Sequence, residues 1–149
     1  TAKSGGTMVT VNSSAKFEDD ITLYAQWQQI AEIRVEITWG AMAFTYSDGG
    51  WNPETHVYET GGWQPDNTDG DRIAVENTGG CDVEVTFLYT PLNSAISGGF
   101  TDDTGGTVTG PVALPADGKI DLRLILDGKP DKNLNNTVIG KITITLGGN

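Results

Sequence analysis

The stretch Asp82-Val-Glu-Val-Thr-Phe-Leu-Tyr89 decides the fold class, because its side chains alternate in character with a period of two. Val83, Val85 and Phe87 are apolar, whereas Asp82, Glu84 and Thr86 between them are polar. Successive side chains of a β-strand point to opposite faces of the sheet. The pattern therefore predicts a strand with one face in a core and the other toward water.

The same alternation recurs in residues 33–39, 120–126 and 142–146, and no window of helical length shows a convincing period of 3.6. After Gln28 we count about seven to nine short strands separated by turn residues. This spacing is typical of an all-β sandwich of two antiparallel sheets. A closed β-barrel is the main structural alternative.

Segments rich in glycine and proline predict the turns. Asn77-Thr-Gly-Gly80 separates two alternating stretches, so we expect a β-hairpin there. Ser47-Asp-Gly-Gly50 predicts a second tight turn. Ala116-Asp-Gly-Lys119 leads into the strand at Ile120, and Asp127-Gly-Lys-Pro-Asp131 ends it because proline cannot donate to a ladder.

Composition bounds the function. The 149 residues are 37% hydrophobic and 19% charged, which predicts a folded core. The net charge of -11 disfavours nucleic acid and anionic lipid as partners, and it suits a soluble extracellular protein. No apolar run approaches the length of a membrane span, so we expect no membrane insertion. Cys81 is the only cysteine, which excludes an internal disulfide, and residue statistics favour its burial.

Residues Thr22-Leu-Tyr-Ala-Gln-Trp27, preceded by Gly5-Gly-Thr7, resemble the end of the Listeria–Bacteroides repeat, also called the internalin B-type repeat. That family is a small β-grasp-like module found in tandem on bacterial surface proteins. The resemblance implies that residues 1–28 are the C-terminal fragment of such a repeat, forming a β-hairpin. Ile21 and Leu23 give this hairpin an apolar face, which we expect to pack on the next domain, a neighbouring repeat or another copy.

The stretch from Ile37 to Tyr58, together with Ile73-Ala-Val-Glu-Asn-Thr-Gly79, resembles Ig-like surface domains of Gram-positive bacteria. The resemblance implies an Ig-like β-sandwich over residues 29–149. Taken with the repeat, it implies a modular, cell-wall-linked, adhesin-type protein outside the cell. The function expected from the sequence is that of a non-catalytic stalk or spacer.

Aromatic residues favour an alternative function. Trp51, Tyr58 and Trp63 lie among glycines and prolines, where exposed rings would bind a glycan or a host surface protein. The opposing interpretation is that Trp51 and Trp63 cover the open end of the sandwich. Trp39 and Phe44 fall at inward strand positions, so we expect both in the core.

Metal and catalytic chemistry have weak support. Asp66, Asp69 and Asp71 could ligate calcium, but neither register of an EF-type loop fits, so we expect a solvated turn and no cofactor. His56 is the only histidine and has no nucleophile elbow near it, so we expect no catalytic residue and no enzyme.

Overall fold

The computed structural model describes residues 32–131 and 134–148, which are all-β, as predicted. Within these ranges there is no helix that is long and apolar enough to cross a membrane. The repeat fragment proposed for residues 1–28, and its packing, lie outside the described residues. Ten strands are described: β1 (Val35–Trp39), β2 (Phe44–Asn52), β3 (Val57–Pro65), β4 (Arg72–Asn77), β5 (Val83–Pro91), β6 (Ser97–Asp102), β7 (Thr107–Val108), β8 (Val112–Leu114), β9 (Lys119–Asp127) and β10 (Gly140–Gly148).

The strands form three antiparallel sheets. One sheet has five strands in the order β1-β4-β9-β6-β7, and a second has three in the order β10-β5-β8. The third is the isolated pair β2-β3. Neither larger sheet closes on itself, so the described part of the chain is not a barrel and is consistent with the predicted sandwich.

The core lies between the two larger sheets, which contribute alternate side chains to it. Phe87 of β5 meets Phe100 of β6 across the sheets, with ring centroids 5.7 Å apart. Each fully buried aliphatic or aromatic side chain contributes roughly 1.5–3 kcal/mol relative to an exposed one. The other buried apolar residues of this cluster are Ile73, Val75, Val83, Val85, Leu114, Leu122, Leu124 and Leu126.

The hairpin predicted at residues 77–80 is wrong, because β4 and β5 belong to different sheets. β4 pairs with β1 and β9, whereas β5 pairs with β10 and β8. Both strands direct their alternate apolar residues, such as Val75 and Val83, into the same core. The segment between them therefore crosses over from one sheet to the other.

The side chain of Asn77 holds this crossover together. It is fully buried, and its Nδ2 donates to the carbonyl oxygens of Cys81 (2.8 Å), Leu114 (3.1 Å) and Pro115 (2.9 Å). Its Oδ1 accepts from the backbone N–H of Gly79 at 3.0 Å. A buried amide needs such partners, since an unpaired polar group in a core is costly.

The turn predicted at residues 47–50 is also wrong, since these residues continue strand β2. Gly49 has a φ of 73°, and a Cβ there would collide with the carbonyl oxygen of Glu59 on β3. Glycine is needed at this point for close approach of two backbones and not for chain reversal. The predicted turns on either side of β9 are confirmed, because the strand begins at Lys119 and ends at Asp127.

The pairing registers fix where the chain enters and leaves the sandwich. Val35, which opens β1, pairs with Asn77, and Gly148, which closes β10, pairs with Val83. Both therefore lie at the crossover end. The hairpin β2-β3 is inserted between the end of β1 and the start of β4, so it lies at the opposite end.

Replacing Asn77 with Asp exchanges the donating amide for a carboxylate that faces three carbonyl oxygens. At pH 7 we expect the free energy of unfolding, measured by urea denaturation, to fall by at least about 3 kcal/mol. Asn93→Asp is the matched control, because the Asn93 Oδ1 accepts a bond from the Ala95 N–H and a carboxylate can do the same. We expect that change to stay within about 0.5 kcal/mol, and equal losses in the two variants would contradict the role of the Asn77 amide.

Candidate aromatic binding surface

The hairpin β2-β3 ends in a four-residue turn, Pro53 to His56, that its own side chains organise. Asn52 Oδ1 accepts from the backbone N–H groups of Glu54 (2.9 Å) and Thr55 (3.3 Å). His56 closes the turn with a φ of 53°, a left-handed conformation that histidine tolerates better than most residues. The turn is therefore held in one shape before any partner arrives.

Two aromatic residues pair across the ladder next to this turn. Trp51 and Tyr58 are directly opposite each other, with ring centroids 5.3 Å apart and planes inclined at 62°. The His56 ring also neighbours Trp51, with ring centroids 6.2 Å apart and planes inclined at 79°. Trp51 is 52% exposed and Tyr58 is 76% exposed. We call Trp51, His56 and Tyr58 the aromatic tip.

Trp63, the third aromatic residue of the predicted binding set, is not part of the aromatic tip. It pairs with Tyr46 nearer the base of the hairpin, with ring centroids 5.3 Å apart, and it packs against the core. Its Nε1 donates to the carbonyl oxygen of Gly128 at 2.8 Å. Tyr46 and Trp51 are five positions apart on β2, an odd separation that favours opposite faces of the hairpin. Trp63 therefore anchors the hairpin, whereas Trp51 is presented to solvent.

A second contact fixes the hairpin to the loop after β9, which contains Gly128. Lys129 Nζ lies 2.7 Å from Asp48 Oδ1, one residue beyond the carbonyl that accepts from Trp63. The Asp48 carboxylate raises the pKa of Lys129, through a hydrogen bond and its charge. Both groups are exposed, so the ion pair adds orientation more than stability. The loop after β9 thus holds the hairpin at two adjacent residues.

The expectation that Trp39 lies in the core is wrong, because its side chain is 68% exposed. Trp39 ends β1, and β1 is the outermost strand of its sheet. An inward-facing position at an open edge has no neighbouring strand to cover it. Trp39 instead borders an apolar groove with Ile37, Met42 and Ile142. The expectation that Phe44 packs in the core is met in part, since Phe44 is partly buried against it.

The three acidic residues suggested for calcium bond to other side chains. Arg123 donates to Asp69 at 2.6 Å and to Asp71 at 2.7 Å, whereas Asp66 accepts from the Thr45 hydroxyl at 2.7 Å. The carboxylates of Asp69 and Asp71 raise the pKa of Arg123, most strongly through the hydrogen bond that Arg123 donates to Asp69. Across residues 32–131 and 134–148 no group of three or more acidic, histidine or cysteine residues is arranged to hold a metal. The expectation of a turn that binds no cofactor stays a prediction.

Cys81 and Asp102 take structural positions. Cys81 is half-buried, with Sγ 3.8 Å from the carbonyl oxygen of Glu32. Asp102 holds the turn between β6 and β7, since its carboxylate accepts from the Thr104 hydroxyl (2.7 Å) and the Gly106 N–H (2.8 Å). These bonds lower the pKa of Asp102 below its ordinary value. This acidic turn therefore uses its carboxylate within the chain.

Comparison of the chain with protein-family models, curated proteins and solved structures finds no match. The resemblances to a surface repeat and to Ig-like domains therefore stay predictions. Any function has to be inferred from the residues and their geometry. The aromatic tip is the feature that combines exposure, mutual ring contacts and a fixed backbone.

The sequence missed His56 as a member of this surface, because a lone histidine was weighed only as a catalytic group. The signal that could have found it is the spacing of Trp51 and Tyr58. Seven positions around a four-residue turn put two residues opposite each other in a hairpin, next to the turn residue His56.

Acrylamide quenching tests the different environments of the tryptophans. We expect Trp51→Phe to remove more of the quenchable fluorescence than Trp63→Phe, because the Trp63 ring is packed and hydrogen-bonded. We also expect Trp63→Phe to lower the free energy of unfolding by about 0.5–1.5 kcal/mol through loss of the bond to Gly128. Equal quenchable fractions in the two variants would contradict the assignment of Trp63 as the anchor.

A thermal melt with and without calcium tests the acidic turn. We expect Tm to change by less than about 1 °C between excess calcium and chelator, because Asp69 and Asp71 are already paired with Arg123. A ligand that binds only the folded state must raise Tm. A clear rise that disappears in Asp69→Asn would instead support the calcium interpretation.

Proposed function

We propose that this chain is a non-catalytic binding module of a bacterial cell-surface protein, and that the aromatic tip contacts the partner. The observation that carries the proposal is the exposure of the tip. Trp51 is 52% exposed and Tyr58 is 76% exposed, although each is a large ring in contact with the other. The hairpin that carries them is fixed at its base, where Trp63 and Asp48 bond to the loop after β9.

The chemistry of the aromatic tip supports recognition. Trp and Tyr bring large rigid contact area with few rotatable bonds, which is why they are enriched among the residues that dominate interfaces. Trp51 and Tyr58 also buttress each other, and Asn52 fixes the adjacent turn. Such preorganisation lowers the entropy lost when a partner orders the surface.

The spacer function expected from the sequence is compatible with this proposal, because the domain is long as well as able to present a binding surface. Strands β9 and β10 have nine residues each, so the sandwich spans roughly 30 Å along its strands. A binding module of that length also holds its partner at a distance, as a spacer does.

The proposed location is outside the cell, attached to the cell wall or surface. The acidic net charge of -11 supports solubility there and disfavours nucleic acid as a partner. The proposed partners are a glycan or a host surface protein. The resemblance to surface repeats and Ig-like domains is the further support for this location.

Binding assays on arrays of oligosaccharides and of extracellular-matrix proteins test the function. We expect the full chain to retain a subset of these partners, and Trp51→Ala or Tyr58→Ala to weaken that binding at least about tenfold. The loss follows from removing a large ring at the centre of the surface.

Trp39→Ala is the matched control, because it also deletes an exposed tryptophan but lies on β1 outside the aromatic tip. We expect it to leave binding unchanged. Binding that survives both tip substitutions, or that falls equally in all three variants, would overturn the proposed function.

A further inference from the structure

We propose that the aromatic tip binds arginine side chains of a protein partner by stacking their guanidinium groups on its rings. This inference rests on the proposed binding function and narrows it to one chemistry. Guanidinium groups are attracted to aromatic faces, with Trp the best partner, because the ring face carries negative charge density. Arginine is also planar and weakly hydrated, so it stacks where lysine does not.

The ring arrangement suits a planar cation. Two rings neighbour Trp51, Tyr58 with its plane inclined at 62° and His56 with its plane inclined at 79°. The three rings therefore do not form one flat platform, and Trp51 and Tyr58 stay 52% and 76% exposed. A guanidinium group at the end of a long side chain can reach and stack on exposed rings of this kind.

The charge of the hairpin complements a cation. Residues 44–65 contain Asp48, Glu54 and Glu59 and no lysine or arginine. Asp48 is neutralised by Lys129, whereas in the described part of the chain Glu54 and Glu59 form no salt bridge. Two carboxylates without a salt bridge therefore remain on the hairpin that carries the exposed rings. The net charge of -11 extends this attraction to longer range and would speed association with a basic surface.

A neutral glycan fits the same surface less well. Sugar recognition needs hydrogen-bonding groups beside the stacking ring, and the amide nearest to Trp51 is already committed. Asn52 Oδ1 accepts from two backbone N–H groups of the turn, and its Nδ2 donates to Glu59. Asn52 thus maintains the turn, and we assign recognition to the exposed rings and the carboxylate charge of the hairpin.

Titration of the full chain with two matched peptides tests the inference. One peptide carries three arginines separated by glycines, and the other carries citrulline, the neutral isostere of arginine, at the same positions. We expect the arginine peptide to bind about 3- to 30-fold more tightly, followed by tryptophan fluorescence and by amide chemical shifts. Its affinity should fall as salt rises from 0.05 to 0.5 M, as screening requires (roughly a threefold shorter Debye length).

The variants separate the rings from general charge. We expect Trp51→Ala and Tyr58→Ala to abolish the preference for arginine over citrulline, and Trp39→Ala to keep it. Equal binding of the two peptides, or an arginine preference that survives Trp51→Ala, would overturn the inference.

A neutral probe, the hexamer of N-acetylglucosamine, separates this failure from failure of the proposed function. If that sugar binds in a manner dependent on Trp51 and the arginine peptide does not, the tip remains a binding surface but the arginine assignment is wrong. If neither probe binds and the array binding is independent of Trp51, both proposals fail.

Discussion

The buried side chain of Asn77 is the constraint on which the arrangement of the domain depends. Its amide ties the crossover to Cys81 on one side and to Leu114 and Pro115 on the other. A hydrophobic side chain of similar size could fill the space, but it would leave three carbonyl oxygens without that donor. Since buried polar groups are costly when unpaired, the amide selects this path of the chain over a simple hairpin.

That crossover determines where function can lie. It sends β4 and β5 into facing sheets, so the strands that pair with them, β1 and β10, begin and end at the same end of the sandwich. The other end is left for the hairpin between β1 and β4. The topology thus places the crossover and the base of the hairpin at opposite ends of the sandwich, and the proposed binding function depends on the exposed rings that this hairpin carries.

The sequence predicted what depends on local alternation and missed what depends on distant contacts. The strands around Val85, Leu122 and Ile144 follow directly from a period of two. The path after Asn77 could not be predicted, because its bonding partners at Leu114 and Pro115 lie 37 and 38 residues away. For the candidate site, the glycine-rich context left exposure and burial open for both Trp51 and Trp63, and the partial burial of Trp63 depends on Gly128, 65 residues away.

The two tryptophans of the hairpin show how one residue type serves anchoring and presentation. Trp63 is partly buried because it packs against the core and bonds to Gly128. Together with the Lys129–Asp48 ion pair, it holds the base of the hairpin. An isolated two-stranded hairpin is marginally stable in water, so a hairpin without that anchor would not hold Trp51 and Tyr58 in one geometry. The exposed pair can therefore act as a preformed surface only because its neighbour on the same ladder is buried.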